Sequence, residues 1–186
     1  MLDFDSTIAS SHERFGYVLE NRFGIKHDIR DSHKMDNDEI AKLLGVPLDV
    51  IKEACRIAFW SDDFLKNTNP LPGAIENILD LEKSGYFFKI VSARDNEEIA
   101  GPAKTWLSDR GLGHIPFVFM TYGESKAPYV SDCVLGMDDV PKNLEMMVGV
   151  VPHLVLMNHY KVDYDTAFNT VHSWGEANHL IRKLVP

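Results

Sequence analysis

The chain opens Met1-Leu2-Asp3-Phe4-Asp5-Ser6-Thr7, two apolar residues and then D-x-D-x-T, and about 60 residues of helical pattern follow before any further strand signal. Phe15, Val18, Leu19 and Phe23 recur at helix spacing, with Gly24 as a stop. Residues 24–36 are polar and patternless and read as a loop. Asn37-Asp38-Glu39 starts a second helix carrying Ile40, Leu43 and Leu44 up to Gly45. Pro47 suits the first turn of a third, whose apolar stripe is Val50, Ile51, Ala54, Ala58 and Phe59.

The turn cluster Asn69-Pro70-Leu71-Pro72-Gly73 marks a change of pattern. Beyond it, apolar runs at 87–91, 115–120, 133–137 and 153–157 alternate with helical stretches at 74–83, 97–110, 142–148 and 175–184. Continuous apolar strands between helices predict a parallel sheet covered on both faces. The expected fold class is therefore α/β: a Rossmann-like parallel sheet of about five strands with helices on both faces, plus a small all-helical module inserted after the first strand. Residues 1–9 and 70–186 would form the core, and residues 10–69 the insertion.

The 186 residues are 45% hydrophobic and 25% charged, an ordinary globular balance, and a net charge of −9 argues against a nucleic-acid duplex or an anionic membrane as partner. No run approaches the length of a membrane span, and no secretory signal is visible, so a cytoplasmic protein is expected. Cys55 and Cys133 belong to no metal-ligand or C-x-x-C spacing and read as two free thiols. His172 and His179 are isolated, with structural or surface roles expected.

In open α/β sheets, ligands bind beyond the carboxyl ends of the strands. In this sequence those ends carry Asp3 and Asp5, Ser92 with Arg94, a loop with Lys126, and Asp138-Asp139. Taken singly, each has an ordinary reading: a solvated turn, a cap, a surface lysine. Taken together, they place several carboxylates on one edge, where without a cation they would repel one another. A divalent ion with oxygen ligands resolves this, and Mg²⁺ shared with a substrate phosphate fits best. Lys126 adds a compact positive charge for a phosphoryl oxygen and Ser92 a short donor.

D-x-D-x-T, then a strand-terminal Ser, a Lys and an Asp-Asp pair resembles the haloacid dehalogenase-like (HAD) superfamily of phosphatases over nearly the whole chain. Phe59-Trp60…Phe64, Pro70-Leu71-Pro72-Gly73-Ala74, Val91-Ser92-Ala93-Arg94, Asp138-Asp139…Lys142-Asn143 and His172-Ser173-Trp174 are similar to its 5′(3′)-deoxyribonucleotidase and 5′-nucleotidase branch. The resemblance implies that the insertion is a cap domain. It also implies that Asp3 is the nucleophile and that Asp5 is general acid and base, with its backbone carbonyl on Mg²⁺. Asp3 and Asp139 would be side-chain ligands, Asp138 acting through water or orienting its neighbour. Ser92 and Lys126 would hold phosphate, and Thr7 would bond back into the first loop. Lys104 competes for the lysine role but falls mid-helix. Trp60, Phe64 and Arg94 are candidate substrate contacts, with Phe59 on the cap's own apolar stripe.

The expected partner is a small phosphorylated metabolite, a nucleoside monophosphate in the lead reading, and the chain a monomer or homodimer. Another small phosphomonoester (a sugar phosphate or phosphoglycolate) and a non-catalytic phosphate-binding homologue stand as alternatives. A receiver-type signalling domain needs its acidic pair after the first strand, whereas here the pair follows a late one. One departure from the family is the two-residue lead to Asp3: either the first strand is very short or the natural chain begins upstream.

Overall fold

The computed structural model describes residues 1–33 and 35–186, the side chains of Ile29 and Leu65 aside. In chain order the elements are helices α1 (Ser11–Phe23), α2 (Ile29–Ser32), α3 (Asn37–Leu44), α4 (Leu48–Trp60), α5 (Asp62–Asn67) and α6 (Ala74–Lys83), then strand β1 (Ile90–Ala93). There follow α7 (Glu97–Ser108), β2 (Phe117–Met120), a 3₁₀ turn (Ala127–Tyr129), β3 (Leu135–Asp138), α8 (Pro141–Glu145), β4 (His153–Met157), β5 (Asn169–Val171) and α9 (Trp174–Leu184).

All named strand pairs are parallel: β1 with β2, β3 with β4, and β4 with β5. The two groups meet at the N-terminus, where Leu2 bridges Ile90 on one side and Met137 on the other. The order across the sheet is thus β2, β1, residue 2, β3, β4, β5. Although the first strand is too short to be a named element, both neighbours hold it. Leu2 N donates to Lys89 O at 2.9 Å, Val91 N to Leu2 O at 3.0 Å, and Asp3 N to Met137 O at 2.8 Å. The edge strand β5 had no counterpart among the expected apolar runs, because its Asn169 and Thr170 are exposed.

Period-two alternation buries both faces. Leu2, Ile90 and Val155 point into one apolar cluster, with Ile78 and Leu81 of α6, Trp106 and Leu107 of α7, and Trp174 and Ile181 of α9. Met1, Val91 and Leu156 point into another, closed by Leu144 of α8 and Met147.

The helical module has its own cluster, built from Phe15, Val18 and Leu19 of α1, Ile40 of α3, and Ile51, Ala54 and Ala58 of α4. Its helices start and stop where the sequence indicates. Asp36 and Glu39 form a reciprocal capping box on α3, and Gly24 and Gly45 end α1 and α3 in the left-handed region at φ 69° and 65°. The loop expected at 24–36 contains the single turn α2. Chain entry and exit lie side by side: Ser10 N donates to Asn69 O and Leu71 N to Ile8 O, both at 2.8 Å. Two buried indoles fasten this joint, Trp174 Nε1 donating to Thr7 O and Trp106 Nε1 to Thr68 O, each at 2.8 Å.

Candidate active site

Asp3 stands at the carboxyl edge of the sheet between β1 and β3, 7% exposed, because the bridging bonds of Leu2 and its own N–H fix the backbone there. Lys126, buried just before the 3₁₀ turn, donates to Asp3 Oδ1 and, at 2.7 Å, to Asp138 Oδ2. Asp138 is fully buried at the end of β3, and its Oδ1 accepts from Val140 N and Asn143 Nδ2, each at 2.9 Å. Burial pushes the Asp3 carboxyl well above the usual range. Lys126 opposes this, and the charges of Asp138, Asp139 and Asp5 add to it. Burial alone would lower the Lys126 ammonium, but Asp138 and Asp3 outweigh it and hold the proton on.

Asp5 faces different partners. Its Oδ2 accepts from Arg94 Nη1 at 2.7 Å and its Oδ1 from Arg94 Nη2 at 3.0 Å, a bidentate pair. Ser11 Oγ donates to Oδ1 at 2.6 Å, and Ser92 Oγ reaches Oδ2 at 3.5 Å. Burial would raise this carboxyl, yet Arg94 and Ser11 prevail and hold it below the ordinary carboxylate range. The chain turns away immediately after Asp5: Ser6 has φ 55°, a left-handed conformation unusual for a residue with a side chain.

Asp139, 4% exposed, faces the helical module, with Oδ2 at 3.1 Å from Nε2 of His33. Burial raises its carboxyl and His33 offsets part of that. The His33 ring lies 4.4 Å from that of His12, and His12 Nδ1 bonds Ser6 Oγ at 2.6 Å. Burial, with His33 beside it, pushes the His12 imidazole down to about 3, so it is neutral at ordinary pH. Neither histidine was singled out by the sequence. They lie in separate helical segments, and only the folded chain brings them to Asp139.

The expected residues thus divide. Asp3, Lys126 and Asp138 form one linked group; Asp5, Ser92 and Arg94 form a second beside it, and Asp139 a third with the two histidines. Thr7, expected to bond back into its loop, is buried with its hydroxyl unpaired among the described residues, while its backbone oxygen takes the Trp174 bond. Phe64, a candidate substrate contact, is wholly buried instead, packing on Phe4 at 5.9 Å and Trp106 at 6.4 Å between ring centroids. Trp60 is half-buried. Phe59 packs on Phe15 and on the His12 ring, with centroids 6.0 and 5.7 Å apart. Lys104 pairs with Glu97 at 2.7 Å on the outside of α7. His179 is exposed, and His172 Nδ1 bonds Asn158 O at 2.9 Å. Cys55 is buried and Cys133 partly so, both free. An open cleft of about 620 Å³ is lined by Glu13, Lys26, His27, Asp28, Arg30 and Tyr160 and includes none of Asp3, Asp5, Asp138 and Asp139.

No family model matches the chain. Solved structures do. A predicted phosphoglycolate phosphatase from Haemophilus somnus superposes with a TM-score of 0.66 at 12% identity, covering 96% of this chain and 95% of its own. A predicted phosphatase from Clostridium acetobutylicum gives 0.64 at 15% identity over 98% and 96%. A HAD-superfamily hydrolase from Ehrlichia chaffeensis gives 0.57 at 15% identity over 100% and 96%. The chain therefore has the fold of the HAD-superfamily hydrolases. Among curated proteins, one from Bacillus cereus named "Putative nucleotidase" is 22% identical over 185 residues, 97% of this chain and 96% of that one. No helix among the described residues is long and apolar enough to cross a membrane.

Proposed function

We propose that the protein is a Mg²⁺-dependent phosphomonoesterase that transfers the phosphoryl group of a small metabolite to Asp3 and then to water. The observation that carries this reading is the buried link from Lys126 to both Asp3 and Asp138 at the carboxyl edge of the sheet. It presents a carboxylate nucleophile and an ammonium at one point, as phosphoryl transfer requires.

Lys126 serves Asp3 and Asp138, Arg94 serves Asp5, and Asp139 pairs only with His33, so four neighbouring carboxyl groups share two permanent cations, and the raised Asp3 and Asp139 reflect that shortage of positive charge. A hard dication with oxygen ligands fits such a set. Asp3, Asp139 and the backbone carbonyl of Asp5 would hold it, and it would supply neutralising charge to the phosphate. Asp138, both of whose oxygens are engaged, suits a positioning role. Lys126 keeps its proton and would bind a phosphoryl oxygen beside Asp3, with Ser92 as a further donor. Asp5, held as a carboxylate by Arg94, is ready to take a proton from the attacking water. To protonate a leaving oxygen first, it must exchange Arg94 for the substrate. Residues 10–69 would serve as the cap that covers this edge. Since Asp3 is nearly buried, substrate would enter when the cap moves aside.

A nucleoside monophosphate is the substrate we favour, supported by the curated relative's name and by the half-buried Trp60. The phosphoglycolate phosphatase title of a fold neighbour supports the second reading, a different small phosphomonoester. Phosphate release from a panel of nucleoside monophosphates, phosphoglycolate and sugar phosphates tests both. Wild type should turn over with Mg²⁺ and stop with EDTA. Asp3→Asn should lose at least ~1000-fold in rate, since a carboxamide cannot serve as nucleophile. Near-normal turnover by that variant would overturn the reading.

A further inference from the structure

His12, His33 and Asp139 come from three separate stretches: the second residue of α1, the residue after α2, and the residue after β3. One ligating atom from each can be chosen so that all three lie within 4.8 Å of one another. His33 is 5% exposed, and its Nε2 faces Asp139 Oδ2 at 3.1 Å without making a hydrogen bond. A buried imidazole nitrogen and a buried carboxylate oxygen this close repel unless a proton or a metal ion lies between them, and the pair is poorly aligned for the proton. Both rings are also held from behind. Tyr164 OH bonds His33 Nδ1 at 2.8 Å and Ser6 Oγ bonds His12 Nδ1 at 2.6 Å, which leaves the second nitrogen of each ring available to an ion. Outer bonds of this kind fix the tautomer and orientation of metal-binding histidines.

We propose that His12, His33 and Asp139 form a binding site for a first-row transition-metal dication of the Zn²⁺ type, tying the helical module to the sheet. Two imidazoles and one carboxylate suit such an ion, whereas Mg²⁺ prefers an all-oxygen set. Metal–ligand bonds of about 2.0–2.2 Å in a tetrahedron place neighbouring ligand atoms roughly 3.3–3.6 Å apart. The His33–Asp139 separation of 3.1 Å is already close to that, and since all three atoms lie within 4.8 Å of one another, no pair needs to contract by more than roughly 1.4 Å. Three protein ligands leave a fourth position open. The site shares Asp139 with the magnesium set but does not depend on the phosphatase reading.

The test is a Zn²⁺ titration of metal-free protein with ¹⁵N-labelled histidine, in excess Mg²⁺, followed through the imidazole nitrogens by NMR. One equivalent should shift two of the eight histidines, and these should be the ones lost from the spectra of His12→Gln and His33→Gln. Each of those variants should bind Zn²⁺ at least ~100-fold more weakly, and Asp3→Asn as tightly as wild type. No histidine shift in wild type, shifts confined to other histidines, or loss of zinc binding in Asp3→Asn would overturn the proposal. If one histidine variant fails to fold, the other still assigns its own ring, and the number of wild-type histidines that shift, two or none, decides without either. Phosphate-release assays, run separately, report on Asp3 alone.

Discussion

Arg94 grips Asp5 with both terminal nitrogens of its guanidinium, at 2.7 and 3.0 Å, from a position itself only 2% exposed. Removing one partner from such a pair strands the other's charge. Arg94→Met should therefore lower folding stability by about 2–3 kcal/mol, discounted from the fully buried case because Asp5 remains 20% accessible. Urea unfolding of Arg94→Met, Asp5→Asn and the double variant measures the coupling. A double variant no more stable than the sum of the single losses would remove the pair from the account.

Asp3→Asn should act oppositely on stability and turnover. An acid whose folded pKa is raised destabilises the folded state above its ordinary value of 3.8, so a neutral isostere removes that penalty at neutral pH. The metal-free variant should melt about 2–4 °C higher than wild type, the shift of roughly 1 kcal/mol for a chain of this size. Differential scanning calorimetry in EDTA checks it.

Lys126→Met leaves Asp3 and Asp138 buried without their shared cation. A loss of about 3–5 kcal/mol is expected. Asp138→Asn in the same background should recover part of it, because one of the two stranded charges is then gone. Denaturant midpoints of the three variants read this directly.

His12 fixes a pH dependence. Its folded pKa is about 3 and its unfolded value 6.5, so below 6.5 the unfolded chain binds more protons and stability falls as the pH drops. Between pH 6.5 and 5 this removes up to about 2 kcal/mol from wild type, and His12→Gln should lack that part of the slope. Paired urea titrations at pH 7.5 and 5 in metal-free buffer separate it from the opposing contributions of Asp3 and Asp139.

Phe64→Ala should cost about 3–5 kcal/mol through the cavity it leaves beside Phe4 and Trp106, with substrate preference unchanged. Trp60→Ala, at a half-buried position, should change stability little and weaken KM for nucleotides more than for phosphoglycolate. Melting curves and KM values for both variants distinguish the two aromatics.

What the residues disclosed in advance follows from periodicity and punctuation. The strand 153–157 and the helix 74–83 are found where their apolar repeats put them, and Gly24, Gly45 and the Asp36–Glu39 box end or start helices as their chemistry dictates. Strand ends then brought Asp3, Lys126 and Asp138 to one edge. β5 was hidden because an edge strand with two exposed polar residues carries no apolar run. Phe64 looked like a member of the helical module's surface, but α5 packs on α7, so its ring joins the sheet's cluster. His12 and His33 were illegible for another reason. A meeting of two short helical segments with the loop after β3 is a tertiary event that leaves no local spacing behind.

The seam at residue 2 has a kinetic consequence. Leu2 joins halves of the sheet whose partners lie about 88 and 135 positions away in the chain, among the longest loop closures this fold requires. Contacts of such range form late unless something local precedes them, and Asp3 is the very next residue. The place of Asp3 beside Lys126 thus depends on closing a long-range pairing of the sheet and not on any local segment of chain.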